Sequence, residues 1–175
     1  MAPMTSRPGL EQARELLIFL NASGVPCVTE TLDPLSVSYT EDLVSWTAIG
    51  TRTVESQTHR AMANGLSMPV GFKNGTNGDV QIAVEAQATA MAPQAYIGLD
   101  EAGSIARRDA YGNRDAYVVL CGGWAGPNYS TRDVALAEAA LRDSAMAPRT
   151  VVDCNHANSG KQPERQVEVL AEIAS

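Results

Sequence analysis

Long apolar runs are missing from this chain of 175 residues, and none approaches the roughly 18 residues of a membrane-spanning helix. The N-terminus also lacks the apolar core of a secretory signal. Basic residues are few: 13 Lys and Arg face 20 Asp and Glu, and the resulting charge of -7 argues against nonspecific nucleic-acid binding. The sequence therefore predicts no membrane and no nucleic-acid partner.

Cysteine is also scarce, because the chain has only Cys27, Cys121 and Cys154. An odd number without zinc-like pairing excludes a disulfide scaffold and a structural zinc site of the usual kind. We expect a cytoplasmic protein in which a cysteine has a local chemical role. No glycine-rich Rossmann or P-loop motif is present, which disfavours nucleotide binding as a function.

The pattern that is present alternates strands with helices, and it predicts an α/β fold with a mostly parallel sheet. We expect a flexible N-terminal tail over residues 1–9 and one domain over residues 10–175. Residues 98–114 are rich in turn-forming side chains and predict an irregular insertion or a hairpin. The predicted strands are residues 25–31, 44–49, 68–73, 116–121 and 150–153, with an extended segment at 94–98.

A lysine follows one of these strands directly, in the block Gly71-Phe72-Lys73-Asn74-Gly75-Thr76. Polar residues lie at or just after the carboxyl ends of other predicted strands as well. In a parallel α/β array these ends meet at one rim, where binding sites are found. The residues that share this position are Glu30, Arg52, Lys73, Cys121 and His156.

Such a rim would suit an anionic ligand, because Arg binds phosphate or carboxylate as a planar fork and Lys binds it as a point charge. The alternative interpretation of each residue is structural. A lysine or arginine after a strand is commonly solvated surface, and a single histidine is commonly a hydrogen-bonded structural residue. Asn74-Gly75-Thr76 is by itself only a turn.

Several long blocks resemble the class I 3-deoxy-D-arabino-heptulosonate 7-phosphate (DAHP) synthases, the first enzymes of the shikimate pathway. The resemblance covers residues 10–174. The blocks that carry it are Glu30-Thr31-Leu32-Asp33, Ser45-Trp46-Thr47-Ala48-Ile49-Gly50-Thr51-Arg52-Thr53, Pro69-Val70-Gly71-Phe72-Lys73-Asn74-Gly75-Thr76, Pro127-Asn128-Tyr129-Ser130 and His156-Ala157-Asn158-Ser159.

The resemblance implies a TIM-barrel relative that joins phosphoenolpyruvate to erythrose 4-phosphate with a divalent metal of the Mn, Mg, Co or Zn class. It implies that Arg52 and Lys73, with Thr51 beside them, hold phosphoenolpyruvate. It further implies that Glu30 is a carboxylate near the same substrate and that His156 is a metal ligand.

Three departures from the family pattern limit these expectations. Cys121 stands where the family has an arginine that contacts the substrate phosphate, and Asn155 stands where it has a serine. Only the stretch from the third to the seventh barrel strand is matched. The other metal ligands of the family fall outside that stretch, so the alternative is that no metal binds.

We therefore expect a truncated, partial TIM-barrel-like array of about five β/α units, completed or covered by oligomerisation. The favoured partner is a second copy of the chain, and the alternative is a full-length synthase.

The first functional hypothesis is an enzyme of the aldolase or transferase type, in the shikimate pathway or repurposed for specialised metabolism. In it, Arg52 and Lys73 would bind the anion, Glu30 or His156 would be acid or base, and Cys121 a new nucleophile. The second is a non-catalytic or regulatory module that acts through protein–protein contacts.

Overall fold

The computed structural model describes residues 7–100 and 102–175. The strands are β1 (Val28–Glu30), β2 (Trp46–Ile49), β3 (Val70–Lys73), β4 (Gln94–Leu99), β5 (Ile105–Ala110), β6 (Tyr117–Leu120) and β7 (Thr150–Val152). The α-helices are α1 (Arg7–Ala22), α2 (Gln57–Gly65), α3 (Gln81–Met91), α4 (Thr131–Asp143) and α5 (Arg165–Ile173). Two short 3-10 turns, Val37–Tyr39 and Glu41–Leu43, lie between β1 and β2.

Five strands form one sheet in the order β1-β2-β3-β6-β7, and every neighbouring pair is parallel. The register pairs Lys73 at the end of β3 with Val119 near the end of β6. All five carboxyl ends therefore lie along one edge of the sheet. The predicted α/β fold with a mostly parallel sheet is confirmed, although β1 is followed by 3-10 turns and not by an α-helix.

The apolar core lies between this sheet and helices α2, α3 and α4. Alternate strand residues point into it because successive side chains of a strand face opposite sides. Phe72, Ile49 and Leu120 are among the largest side chains that are fully buried there. On the other face, the rings of Trp46 and Tyr117 stack with centroids 6.1 Å apart.

Gly71, which pairs with Ala48 on β2 and with Tyr117 on β6, leaves the space for that stacking. A Cβ atom at Gly71 would lie 3.1 Å from carbon atoms of both rings and 2.7 Å from Val119 Cγ2. These contacts are tighter than van der Waals packing allows.

The predicted insertion is a two-stranded antiparallel hairpin, β4–β5, separate from the main sheet. Its turn has Gly103 at φ 77°, a backbone conformation that favours glycine. The ring of Tyr96 packs directly on Gly65 at the end of α2, in space that only a glycine leaves open. The hairpin is thereby fixed against the helical layer and shapes a cavity of about 560 Å³ together with the loop after β1.

The N-terminal ends of helices α1 and α4 each depend on a particular residue type. Residues 7–9, assigned to the flexible tail, belong to α1, since Pro8 lies in a first turn where its missing N–H costs no hydrogen bond. Residues 1–6 of that predicted tail are outside the described residues. Ser130 and Asp133 form a capping box at the start of α4. In the described part of the chain, no helix has the length and apolar character needed to span a membrane.

Candidate functional site at the carboxyl ends of the parallel strands

Lys73 is the central side chain of the site. It is the last residue of β3, the middle strand of the sheet, and only 7% of its surface is exposed. Its Nζ lies 3.3 Å from Asp153 Oδ2 and 3.7 Å from Glu30 Oε2. A buried ammonium needs such partners, because an unpaired buried charge costs several kcal/mol.

Glu30 reaches Lys73 from the edge strand β1, across the intervening end of β2. Its carboxylate occupies the space beside Gly50, where any side chain would overlap Glu30 Oε1. The glycine after β2 therefore determines where the carboxylate of Glu30 can lie.

Asp153 follows β7 directly and connects Lys73 with His156. Its Oδ2 atom lies 2.7 Å from His156 Nδ1, and its Oδ1 accepts a hydrogen bond from the Asn155 backbone N–H at 2.8 Å. The His156 backbone has φ 54°, a left-handed conformation that is uncommon outside glycine. The imidazole is about half exposed, so one side of the ring faces solvent.

Cys121 follows β6 and is 2% exposed. Burial raises the pKa of its thiol to about 11; the Lys73 charge opposes this rise, while Asp153 and Glu30 add to it. The Cys121 sulfur thus lies close enough to feel all three charges, and it is a neutral thiol at pH 7.

Three asparagines hold the strand ends together beneath this cluster. The Asn74 side chain accepts from Cys121 N at 2.8 Å and donates to Gly122 O at 2.8 Å. Asn128 donates to Asn74 Oδ1 at 3.1 Å, and the Asn158 side chain accepts from Asn128 N at 2.9 Å. Because Asn74 and Asn158 are fully buried, these bonds lock the loops after β3, β6 and β7 to one another.

Arg52 and Thr51 lie in the loop after β2, at the same edge of the sheet. Arg52 is exposed. Within the described residues, neither side chain makes a hydrogen bond or an ion pair. The structure thus brings Glu30, Lys73, Cys121 and His156 into one cluster and leaves Arg52 unpaired at its rim.

Comparison with known proteins assigns the chain to a family. The model of the DAHP synthetase I family matches residues 7–175. This chain belongs to the DAHP synthetase I family.

Two curated relatives illustrate the similarity to the DAHP synthetase I family. The chain is 48% identical over 167 residues to the Tyr-sensitive phospho-2-dehydro-3-deoxyheptonate aldolase of Escherichia coli K12, covering 95% of this chain and 47% of the relative. It is 44% identical over 166 residues to the phospho-2-dehydro-3-deoxyheptonate aldolase of Corynebacterium glutamicum, covering 95% of this chain and 44% of that one.

A solved structure agrees with this result. The phospho-2-dehydro-3-deoxyheptonate aldolase of Francisella tularensis SCHU S4 superposes with a TM-score of 0.95 at 43% identity. The match covers 98% of this chain and 50% of the solved one. The chain thus spans about half the length of these relatives, and its strands keep their arrangement.

The described residues do not form a complete binding site for the divalent metal that the family resemblance implies. Among the described residues, no three His, Cys, Asp or Glu side chains are grouped to hold an ion. The ring atom Nδ1 of His156 is engaged by Asp153, and ions of the Mn or Mg class need several ligands. No chemical step is therefore assigned to a metal.

Sequence reasoning missed Asp153, Gly50 and the three asparagines. Asp153 is the last residue of the predicted strand 150–153. Its position at a strand end is therefore the signal that identifies it, as for Lys73. The asparagine contacts have no such signal, because Asn128 lies 54 positions from Asn74 and 30 from Asn158 and reaches both only through the fold.

Proposed function

We propose that this chain carries the phosphoenolpyruvate-binding part of a DAHP-synthase-like site. In this proposal it binds a phosphorylated or carboxylated small molecule at the rim formed by β1, β2, β3, β6 and β7. The reaction is of the aldolase or transferase type and forms a carbon–carbon bond, in the shikimate pathway or in a specialised pathway derived from it.

The observation that carries the proposal is the contact geometry of Lys73. Its distances to Asp153 and Glu30, 3.3 and 3.7 Å, are longer than the roughly 2.7–2.9 Å of a charge-assisted hydrogen bond. The carboxylates thus compensate the charge without forming short hydrogen bonds to the ammonium. An incoming phosphate or carboxylate can accept those bonds.

Other residues supplement Lys73 in distinct roles. In the proposal, Arg52, which is unpaired among the described residues and has Thr51 beside it, forms a planar fork to the anion. Glu30 and His156 are the proton-accepting groups of the cluster. The nucleophilic role predicted for Cys121 is not part of the proposal, because a buried thiol with a pKa near 11 supplies little thiolate at neutral pH.

Calorimetric titration with phosphoenolpyruvate tests the proposal. Lys73→Ala should weaken binding about 10- to 150-fold, since a charged hydrogen bond contributes roughly 1.5–3 kcal/mol, and Arg52→Ala should weaken it similarly. Arg149→Ala is the matched control. It removes a positive charge just before β7, at the opposite end of the sheet, and should leave affinity unchanged.

Equal affinity in Lys73→Ala and the parent chain would remove Lys73 from the site.

A folded chain that gives no heat with phosphoenolpyruvate or with Mn²⁺ would favour the second candidate, a non-catalytic module. The outer edges of β1 and β7, which no described strand pairs with, favour that candidate because they offer backbone groups to a partner such as a full-length synthase. Co-elution with a full-length family member on size-exclusion chromatography would then be expected.

A further inference from the structure

The strand that carries Glu30 has few contacts within its own sheet. β1 has three residues, and among the described residues only β2 pairs with it. Two contacts extend this pairing by one residue, because Thr31 N donates to Ala48 O at 2.9 Å and the Thr31 and Thr47 hydroxyls lie 2.7 Å apart. The direction in which the chain leaves β1 therefore depends on what holds the next residue, Leu32.

The ring of His59 holds Leu32. His59 lies on α2, is 9% exposed, and has its Nε2 atom 3.2 Å from the Leu32 carbonyl oxygen. A carbonyl can only accept a hydrogen bond, so Nε2 carries the hydrogen and donates it. The Leu32 side chain is 64% exposed and gives the loop no buried apolar anchor. The carbonyl contact thus ties the segment after Glu30 to helix α2.

The other ring nitrogen of His59 is engaged as well. In a neutral imidazole with a hydrogen on Nε2, Nδ1 accepts, and the Ser56 hydroxyl lies 2.8 Å from it. Ser56 is the N-cap residue of α2, and its backbone N donates to Thr53 O at 2.9 Å in the turn that follows β2. The ring cannot turn its donor away from Leu32 without also breaking the contact with Ser56.

The position of Glu30 affects the charge that Lys73 presents. Glu30 Oε2 lies 3.7 Å from Lys73 Nζ, and the Glu30 side chain is 36% exposed. A carboxylate at this place attracts the ammonium and repels an anion that approaches it. A shift of the end of β1 away from β3 would weaken both effects.

We propose that His59 is a positioning residue: through the Leu32 carbonyl it keeps the Glu30 carboxylate beside Lys73, and it thereby limits the affinity of the ammonium for an anion. The inference rests on the proposed anion site and deepens it, because it names a residue that controls how tightly the site binds. Asp153 stays beside Lys73 when Glu30 moves, so the buried ammonium keeps a partner. Loss of the contact between His59 and Leu32 should therefore strengthen anion binding.

Lysine NMR on the ligand-free full chain tests the positioning directly. The chain has two lysines, and with ¹³C-labelled lysine the exposed Lys161 is the reference for Lys73. Glu30→Gln should shift the Lys73 Cε signal, and His59→Ala should shift it in the same direction. In the Glu30→Gln background, His59→Ala should add no further shift.

Two further variants separate the carbonyl contact from other roles of the ring. His59→Gln keeps a side-chain N–H at about the reach of Nε2 and should restore the parent signal. His59→Asn keeps an acceptor for Ser56 but is too short to reach Leu32, so it should behave like His59→Ala and replaces that variant if it does not fold. The control is Asn113→Ala, which removes another buried donor to backbone carbonyls, before β6 at the other end of the sheet, and should not move the Lys73 signal.

Calorimetry with phosphoenolpyruvate on the same samples measures the consequence for binding. His59→Ala and His59→Asn should bind it about 3- to 10-fold more tightly than the parent, because a partly exposed carboxylate repels the anion through screening solvent. His59→Gln and Asn113→Ala should bind it as the parent does.

An unmoved Lys73 signal in Glu30→Gln, or in folded His59→Ala and His59→Asn, would overturn the inference. A further shift in the Glu30→Gln background would also overturn it, and so would equal signals in His59→Gln and His59→Asn. Weaker or unchanged phosphoenolpyruvate binding in His59→Ala counts against it in the same way. Absence of binding in every sample, the parent included, counts against the proposed function, and the lysine signals then decide the positioning role alone.

Discussion

At the scale of single residues, the site depends on the lack of a side chain at Gly50. Gly50 leaves the space that Glu30 fills on its way to Lys73. The identity of a small residue after β2 thus controls the electrostatic environment of a lysine on β3.

Gly50→Ala should displace the Glu30 carboxylate and lower the free energy of unfolding by about 1 kcal/mol, the low end for overpacked sites, because the displaced atoms end a flexible side chain. Denaturant unfolding measures the loss, and phosphoenolpyruvate calorimetry shows whether affinity changes with it. Gly9→Ala is the matched control, because a Cβ there meets no atom within 4 Å and a helical alanine is favoured over glycine by up to about 1 kcal/mol. Equal stability of Gly50→Ala and the parent would show that Glu30 relocates freely.

Cys121 gives a pH-dependent prediction. The pKa of its thiol is raised from an ordinary 9.0 to about 11 in the folded chain. Below pH 9 the thiol is neutral in both states and its contribution to stability is complete. Between pH 9 and 11 the unfolded chain ionises first, so the free energy of unfolding should fall as pH rises.

Equilibrium unfolding from pH 8 to 11 checks this, with Cys121→Ala as the comparison. Burial also raises the pKa of Tyr117, which contributes a decline in the same direction in both proteins. The parent should therefore decline more steeply than Cys121→Ala. Parallel curves would mean that the thiol is not perturbed.

At the scale of secondary-structure elements, a buried amide connects the end of the hairpin β4–β5 to the segment after α2. Asn113 lies just after the hairpin, is 5% exposed, and donates to the carbonyls of Leu66 at 3.1 Å and Met68 at 2.8 Å. Asn113 thus supplies hydrogen-bond donors to two carbonyls of the segment between α2 and β3.

Asn113→Ala should lower the free energy of unfolding by about 1–3 kcal/mol, because buried carbonyls lose their donor. Chemical denaturation measures the change, and hydrogen exchange should show faster opening of the hairpin. Asn77→Ala, in an exposed loop with one hydrogen bond to Asp79 N, is the control and should cost less than about 1 kcal/mol. A cost no greater than that of Asn77→Ala would contradict the anchoring role.

The sequence predicted the elements better than their contacts. The five parallel strands, the helices between them and the hairpin follow from hydrophobic periodicity and turn residues, although the predicted strands were longer than the observed ones. Periodicity records burial, and burial extends past the last ladder hydrogen bond: Cys121 is buried but lies outside β6. The strand-end rule likewise located Lys73 and Glu30 correctly.

The same rule could not foresee the pairing within the site. The contact of His156 with Asp153 depends on a left-handed residue in a loop, and that conformation has no marker when the residue is not glycine. The space beside Gly50 is also invisible in sequence, since it is defined by Glu30, twenty positions away. Loop geometry determines the contact of His156 with Asp153, and excluded volume determines the space beside Gly50.

At the scale of the whole molecule, no strand among the described residues pairs with the outer edge of β1 or β7. Val28, at 63% exposure, and Val151, at 44%, add apolar surface on these edge strands. Exposed strand edges promote association with further strands.

A polypeptide of these 175 residues should therefore form dimers or larger assemblies with a second copy of itself. Light scattering coupled to size-exclusion chromatography measures the mass. The double variant Val28→Lys and Val151→Lys should shift the distribution toward monomer, because charged edge residues oppose pairing. A stable, folded monomer of the parent chain would refute the prediction.

The stacking that Gly71 permits gives the two tryptophans of the protein different surroundings, which should separate their fluorescence. Trp46 is stacked on a tyrosine within the sheet, whereas Trp124 is 87% exposed on the loop after β6. With only two indoles in the chain, the blue part of the emission should report the integrity of the sheet and the red part should report that loop. Unfolding of the sheet and changes at that loop can therefore be followed separately in one unlabelled sample.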